Sequence, residues 1–131
     1  MRSSLIHGTE YELAGGNLFD VSGNHDNNVP CSLCQAKGRA TMIMIPAKLT
    51  CPDSSWTLEY TGFIMSAASW GEYRNYRSMY ECVDRGAEGV PGSQDNMNGA
   101  TFHYASAYCN TFLHCPPYEN QIALSCVVCS K

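Results

Sequence analysis

Trp56-Thr57-Leu58-Glu59-Tyr60-Thr61-Gly62-Phe63-Ile64-Met65 is the stretch on which the fold turns. Its aromatic and β-branched residues suit a pleated, half-buried surface, and the run has the length of a strand. We read it as a strand that opens on a core Trp56. At Gly62 no side chain is available to pack, and a bulge fits there. Four further runs of strand length lie around it: Arg39 to Ala47, Ser78 to Val83, Ala100 to Tyr108 and Ile122 to Cys129. Gly- or Pro-containing loops separate them, and no segment carries a sustained 3.6-residue apolar period with caps. The pattern predicts a mainly β protein: a single antiparallel β-rich domain over 1–131, with long ordered loops, stabilised by disulfides. Residues 1–24 read as a loop-rich N-terminal segment, with regular structure starting near Cys31.

Composition narrows the class. The chain has 131 residues, 15% of them charged, with a formal net charge of −4. No basic run is present, which disfavours nucleic acid, because phosphate neutralisation needs clustered Lys and Arg. No apolar run approaches the roughly 18 residues of a membrane span, so no membrane insertion is expected. Hydrophobic residues make up 44%, which argues against disorder.

The eight cysteines are Cys31, Cys34, Cys51, Cys82, Cys109, Cys115, Cys126 and Cys129. Such density points to an oxidising, extracellular compartment and to disulfides as scaffold. Residues Met1 to Gly8 lack the apolar core of a signal peptide, so the expectation is a mature or truncated segment of a secreted protein. No Asn-x-Ser/Thr sequon occurs. Two C-x-x-C elements, Cys31/Cys34 and Cys126/Cys129, could together hold tetrahedral zinc. The reading preferred here is disulfides that join the first strand to the last. Eight cysteines allow 105 connectivities. The working arrangement ties the 31/34 element to the 126/129 element and adds Cys51–Cys82 and Cys109–Cys115.

Function is expected in the cysteine-free loops. Asp84, Glu88, Asp95, Asn96 and Asn98 lie in one polar loop that runs to Gly99, and His25, Asp26, Asn27 and Asn28 lie in another. Carboxylate and amide oxygens are what Ca²⁺ requires, and we name Asp84, Glu88, Asp95 and Asn96 as its candidate ligands. The spacing is not that of an EF-hand, and Asp and Asn also occur in loops simply because they stabilise turns. A third loop, Trp70-Gly71-Glu72-Tyr73-Arg74-Asn75-Tyr76-Arg77, sets aromatic rings beside polar groups. A ring can stack on the apolar face of a sugar while polar groups bind its hydroxyls. Trp70 or Tyr73 would stack, and Glu72, Asn75 and Arg85 would donate or accept. The plain alternative is a hydrophobic plug over a sheet edge. Enzyme chemistry has no support: there is no G-x-S-x-G elbow, the four histidines are scattered, and nothing selects a carboxylate pair.

The ordered elements His25-Asp26-x-x-Val29-Pro30-Cys31-x-x-Cys34, Met44-Ile45-Pro46-Ala47, Cys51-Pro52, Trp56-Thr57-x-Glu59-Tyr60-x-Gly62, Glu81-Cys82-Val83-Asp84, Pro91-Gly92-Ser93, Asn98-Gly99-Ala100, Cys115-Pro116-Pro117-Tyr118 and Ser125-Cys126-Val127-Val128-Cys129 form a specific set. In them the chain, from about His7 to Lys131, resembles the C-terminal non-collagenous domain of sponge short-chain (spongin-like) collagens. Similar domains occur in cnidarian and molluscan secreted proteins, and some sea-anemone galactose-binding lectins are related. Family members usually carry a further N-terminal half with its own Cys-Pro and Tyr-x-Gly elements, which this chain lacks, and the Trp70–Arg77 loop departs from the family pattern.

The resemblance implies a secreted β fold. Together with the loops it leads to the expectation of a secreted, carbohydrate-binding, lectin-like domain, galactose-type and Ca²⁺-assisted, with no enzyme activity. Its partners would be glycans, and a homo-oligomer would supply avidity. The alternative is a structural module of extracellular matrix that binds protein chains and no sugar. A small secreted hydrolase is a distant third reading.

Overall fold

The structure, a computed structural model, describes residues 7–13, 23–68, 79–109, 113–116 and 118–131. Among these residues there is no helix. Six strands are present: β1 (Thr9–Tyr11), β2 (Met42–Pro46), β3 (Thr57–Ser66), β4 (Glu81–Asp84), β5 (Ala100–Tyr104) and β6 (Ser125–Ser130). They form one sheet in the order β1-β5-β3-β6-β2, with β4 paired to β3 off that path.

Five strands fall in the stretches read from sequence, and β3 is their hub. It pairs antiparallel with β6, β4 and β5. β6 is buried from Cys126 to Ser130, because it lies between β2 and β3 and is covered on both faces. A continuous apolar run such as Cys126-Val127-Val128-Cys129 is what burial on both faces demands. Ile64, Cys82, Cys126 and Val128 form the core cluster, with Tyr60, Ala105 and Leu124 packed against it.

Four expectations need correction. The sheet is mixed, since β1 pairs parallel to β5 with Thr9 opposite Ala100. Among the described residues regular structure therefore begins at Thr9, well before Cys31. The three residues of β1 are too few to show a period. The bulge lies between Leu58 and Tyr60, and Gly62 has another role. A Cβ on Gly62 would lie 1.8 Å from the Val83 carbonyl oxygen, so glycine is what lets β4 close onto β3. Trp56 is half-buried and no core residue: its ring faces the Lys131 ammonium, 5.8 Å from the centroid.

The disulfides also differ from the working arrangement. Cys51 bonds Cys129, and Cys82 bonds Cys126; only Cys109–Cys115 is as expected. Cys31 and Cys34 are free and exposed and do not reach the 126/129 element. The reason lies in strand geometry. Cys126 and Cys129 are an odd number of residues apart, so on a strand they point to opposite faces. One face receives Cys82 from β4 and the other receives Cys51 from the loop after β2, each with a Cα–Cα distance of 5.9 Å. Three disulfides place the folded chain in an oxidising environment. No helix among the described residues is long and apolar enough to cross a membrane.

Candidate metal centre

β1 is bordered on one side by β5 and on the other by the 24–29 loop. Tyr11 N–H donates to the Asn27 carbonyl (2.9 Å), Asp26 N–H to the Tyr11 carbonyl (2.8 Å) and Val29 N–H to the Thr9 carbonyl (2.8 Å). The loop is thereby held as an irregular extra strand, with Glu10 bridged to Asn28. Side chains on a strand alternate, so Glu10 and Glu12 project to the same side. Asp26 takes the left-handed backbone conformation (φ 65°), which Asp tolerates better than most residues.

This arrangement gathers Glu12, His25 and Asp26, with ligand atoms within 4.8 Å of one another. His25 Nδ1 lies 3.9 Å from Glu12 Oε2, and His25 Nε2 lies 3.7 Å from Asp26 Oδ1. His25 Nδ1 also accepts a hydrogen bond from the Leu13 N–H at 3.2 Å. Glu10 is 2% exposed. Its Oε2 accepts from the Met97 N–H at 3.3 Å, while its Oε1 is buried without a hydrogen-bond partner. The Oδ1 atoms of Asp26 and Asn27 are likewise buried and unsatisfied. Burial pushes the Glu12 carboxyl above its ordinary range; His25 pulls it down, and Asp26 and Glu10 push it further up. The Glu12 and Asp26 carboxylates thus lie beside the His25 imidazole, with the Glu10 carboxylate close enough to act on Glu12. A hard divalent cation answers that arrangement chemically, since it takes oxygen ligands from carboxylates and amides together.

The 84–99 loop is the other wall of this region. Asn24 Nδ2 donates to the Ala87 carbonyl (3.0 Å), Tyr11 Oη to the Glu88 carbonyl (3.4 Å) and Val90 N–H to the Asn28 carbonyl (3.0 Å). Ser93 Oγ accepts from the Asn28 N–H (2.9 Å). Gly89 is required by this contact, because a Cβ there would lie 2.5 Å from the Asn27 Cβ. The two polar loops singled out in the sequence, some sixty residues apart, are therefore one surface.

Asp84, Glu88, Asp95 and Asn96 are exposed on that surface. Asp84 Oδ1 accepts the Gly86 N–H at 2.7 Å, and Asn96 Oδ1 accepts from Asn98 Nδ2. These are turn-stabilising bonds. Among the described residues Asp84, Glu88 and Asp95 do not gather into a group of three metal-ligating side chains; Glu12, His25 and Asp26 do. Arg85 donates its backbone N–H to the Thr61 carbonyl (3.0 Å) and sets its guanidinium 4.9 Å from the Phe63 ring centroid. Trp70, Glu72, Tyr73 and Asn75 lie outside the described residues. Sequence reading found His25 to Asn28 but missed Glu10 and Glu12. The available signal was the Glu-Tyr-Glu alternation, which three residues of strand could not make legible.

No protein-family model matches the chain, and no solved structure matches it.

Proposed function

We propose that this protein is a secreted recognition domain that binds carbohydrate with the help of Ca²⁺. The observation that supports this reading is the joining of the 24–29 and 84–99 loops around Glu10, Glu12, His25 and Asp26, with buried oxygens left unsatisfied. In this reading Glu12 and Asp26 ligate the ion, and Asn27 Oδ1 or Glu10 Oε1 completes the protein's share of ligands. His25 stays hydrogen-bonded to the Leu13 N–H and lines the site beside the two carboxylates. The exposed Asp84–Asn96 side of the surface offers acceptors to sugar hydroxyls, and Ca²⁺ either orders that surface or takes vicinal hydroxyls as ligands. Trp70 or Tyr73 supplies a stacking ring, as the sequence suggests.

A glycan array run with and without EDTA tests the proposal. Galactose-type binding that disappears with EDTA is the expected result. Binding to no glycan in either condition overturns the sugar reading, and binding indifferent to EDTA overturns the role of the ion. The second reading, an assembly module of extracellular matrix, is favoured by one specific feature: the apolar strand β2, which has a single neighbour among the described residues.

A further inference from the structure

β2 is the last strand of its sheet, with β6 as its single neighbour among the described residues. Its sequence, Met42-Ile43-Met44-Ile45-Pro46, is apolar, yet none of its five residues is buried. Met42 is 55% exposed. Natural sheets guard such edges with charges, prolines, bulges or covering loops; β2 carries no charge and no bulge, and its one proline, Pro46, stands at its end. The segment that leads into it, 30–41, is exposed at nearly every residue. Leu33, which lies between the two free cysteines, is fully exposed at 103%.

The two thiols cannot readily satisfy each other. No turn or bend interrupts residues 31–36. Extended backbone separates Cα atoms three residues apart by about 10 Å, and a disulfide needs less than about 7 Å. Cys34 Sγ lies 3.7 Å from Ser32 Oγ, and the two cysteines are not bonded to each other. The same C-x-x-C spacing on β6 is satisfied by two bridges to other segments. The other six cysteines are closed among themselves, which leaves Cys31 and Cys34 as the two exposed free thiols of the folded chain.

We propose that Cys31 and Cys34 join this chain covalently to a second copy of itself, with the open edge of β2 as the surface that brings the copies together. A second copy carries the same exposed pair beside the same uncovered strand, and one two-fold contact uses both at once. Strand-to-strand pairing supplies orientation through main-chain hydrogen bonds, and the disulfides then lock it. Two interchain bridges consume four thiols. Their four protons and four electrons pass to two molecules of a small-molecule disulfide such as oxidised glutathione, each of which leaves as two thiols. This inference does not rest on the sugar or calcium reading.

The test is intact mass and sedimentation of the full chain, oxidised with glutathione disulfide and left unreduced, with peptide mapping of the bridges. A covalent dimer bridged through Cys31 and Cys34, reverting to monomer on reduction, is expected. Cys31→Ser with Cys34→Ser should abolish it while leaving the circular dichroism and thermal midpoint unchanged. Met44→Lys, which puts a charge on the edge, should slow dimer formation about tenfold by lowering the effective thiol concentration. A monomer with a Cys31–Cys34 bridge, a monomer with free or glutathione-capped thiols, or a dimer linked through other cysteines overturns the proposal. A dimerisation rate unchanged by Met44→Lys overturns the part assigned to β2.

Discussion

The two bridges on β6 stand at sequence separations of 78 and 44, yet their removal should cost nearly the same. Taken alone, closing loops of those lengths restricts the unfolded chain by about 4.5 and 4.0 kcal/mol. The two rings are nested, however. With Cys82–Cys126 intact, the path from Cys51 to Cys129 runs 31 residues to Cys82, across the bridge, and 3 more from Cys126. Each bridge is the other's shortcut, so each closes an effective loop of about 34 residues, worth about 3.8 kcal/mol. The Cys109–Cys115 bridge, at a separation of 6, is worth only about 2.2 kcal/mol on the same scale.

The experiment is urea unfolding of three paired Cys→Ala variants, followed by tryptophan fluorescence and far-ultraviolet circular dichroism, with intact mass to show that the remaining bridges are closed. The two β6 variants should lie within about 1 kcal/mol of each other, and both should fall below the Cys109→Ala/Cys115→Ala variant by roughly 1.5 kcal/mol. Loss of the buried Cys126 and Cys129 sulfurs acts in the same direction. A Cys109→Ala/Cys115→Ala variant as unstable as either β6 variant would refute the reasoning.

Glu12 provides a test of the cation site. Its folded carboxyl holds its proton more tightly than the unfolded one, so its contribution favours the fold below the unfolded value and is lost as pH rises through the raised folded value. Glu12→Gln should therefore raise the thermal midpoint of the metal-free chain at pH 7, by about 3–5 °C for each kcal/mol relieved. The same variant should lose the Ca²⁺-induced rise, about 2.7 kcal/mol at a hundredfold excess over Kd in the native chain. That rise should itself grow as pH climbs through the carboxylate range, because Ca²⁺ competes with the proton; a rise flat from pH 4 to 7 would contradict a carboxylate site. Gly62→Ala should cost about 3 kcal/mol or more in denaturant titrations, since the new methyl meets Val83 backbone; elsewhere within a strand the same change is mildly favourable. Gly89→Ala should push the Asn24–Asn27 pair away from the 84–99 loop and weaken Ca²⁺ binding by calorimetry about tenfold while sparing the β3–β6 core, as amide exchange would show.

What the sequence by itself determined was local. The β3 run, the alternation of Ala100 to Tyr104 and the apolar Cys126-Val127-Val128-Cys129 run each announce a strand, because periodicity and residue shape act over a few neighbours. High cysteine content likewise pointed to disulfides, three of which the fold contains. Pairing between distant segments was not legible. The faces on which Cys126 and Cys129 emerge, and so their bonding to Cys82 and Cys51, follow from the order β4-β3-β6, which no residue encodes alone. The parallel β1 was hidden because three residues carry too little pattern. Once β1 is placed beside β5, it sets Glu12 against His25 and Asp26 and joins two loops that the sequence keeps sixty residues apart. Tertiary structure decided the site because a cluster of like charges is a property of approach through space, and chain order does not record it.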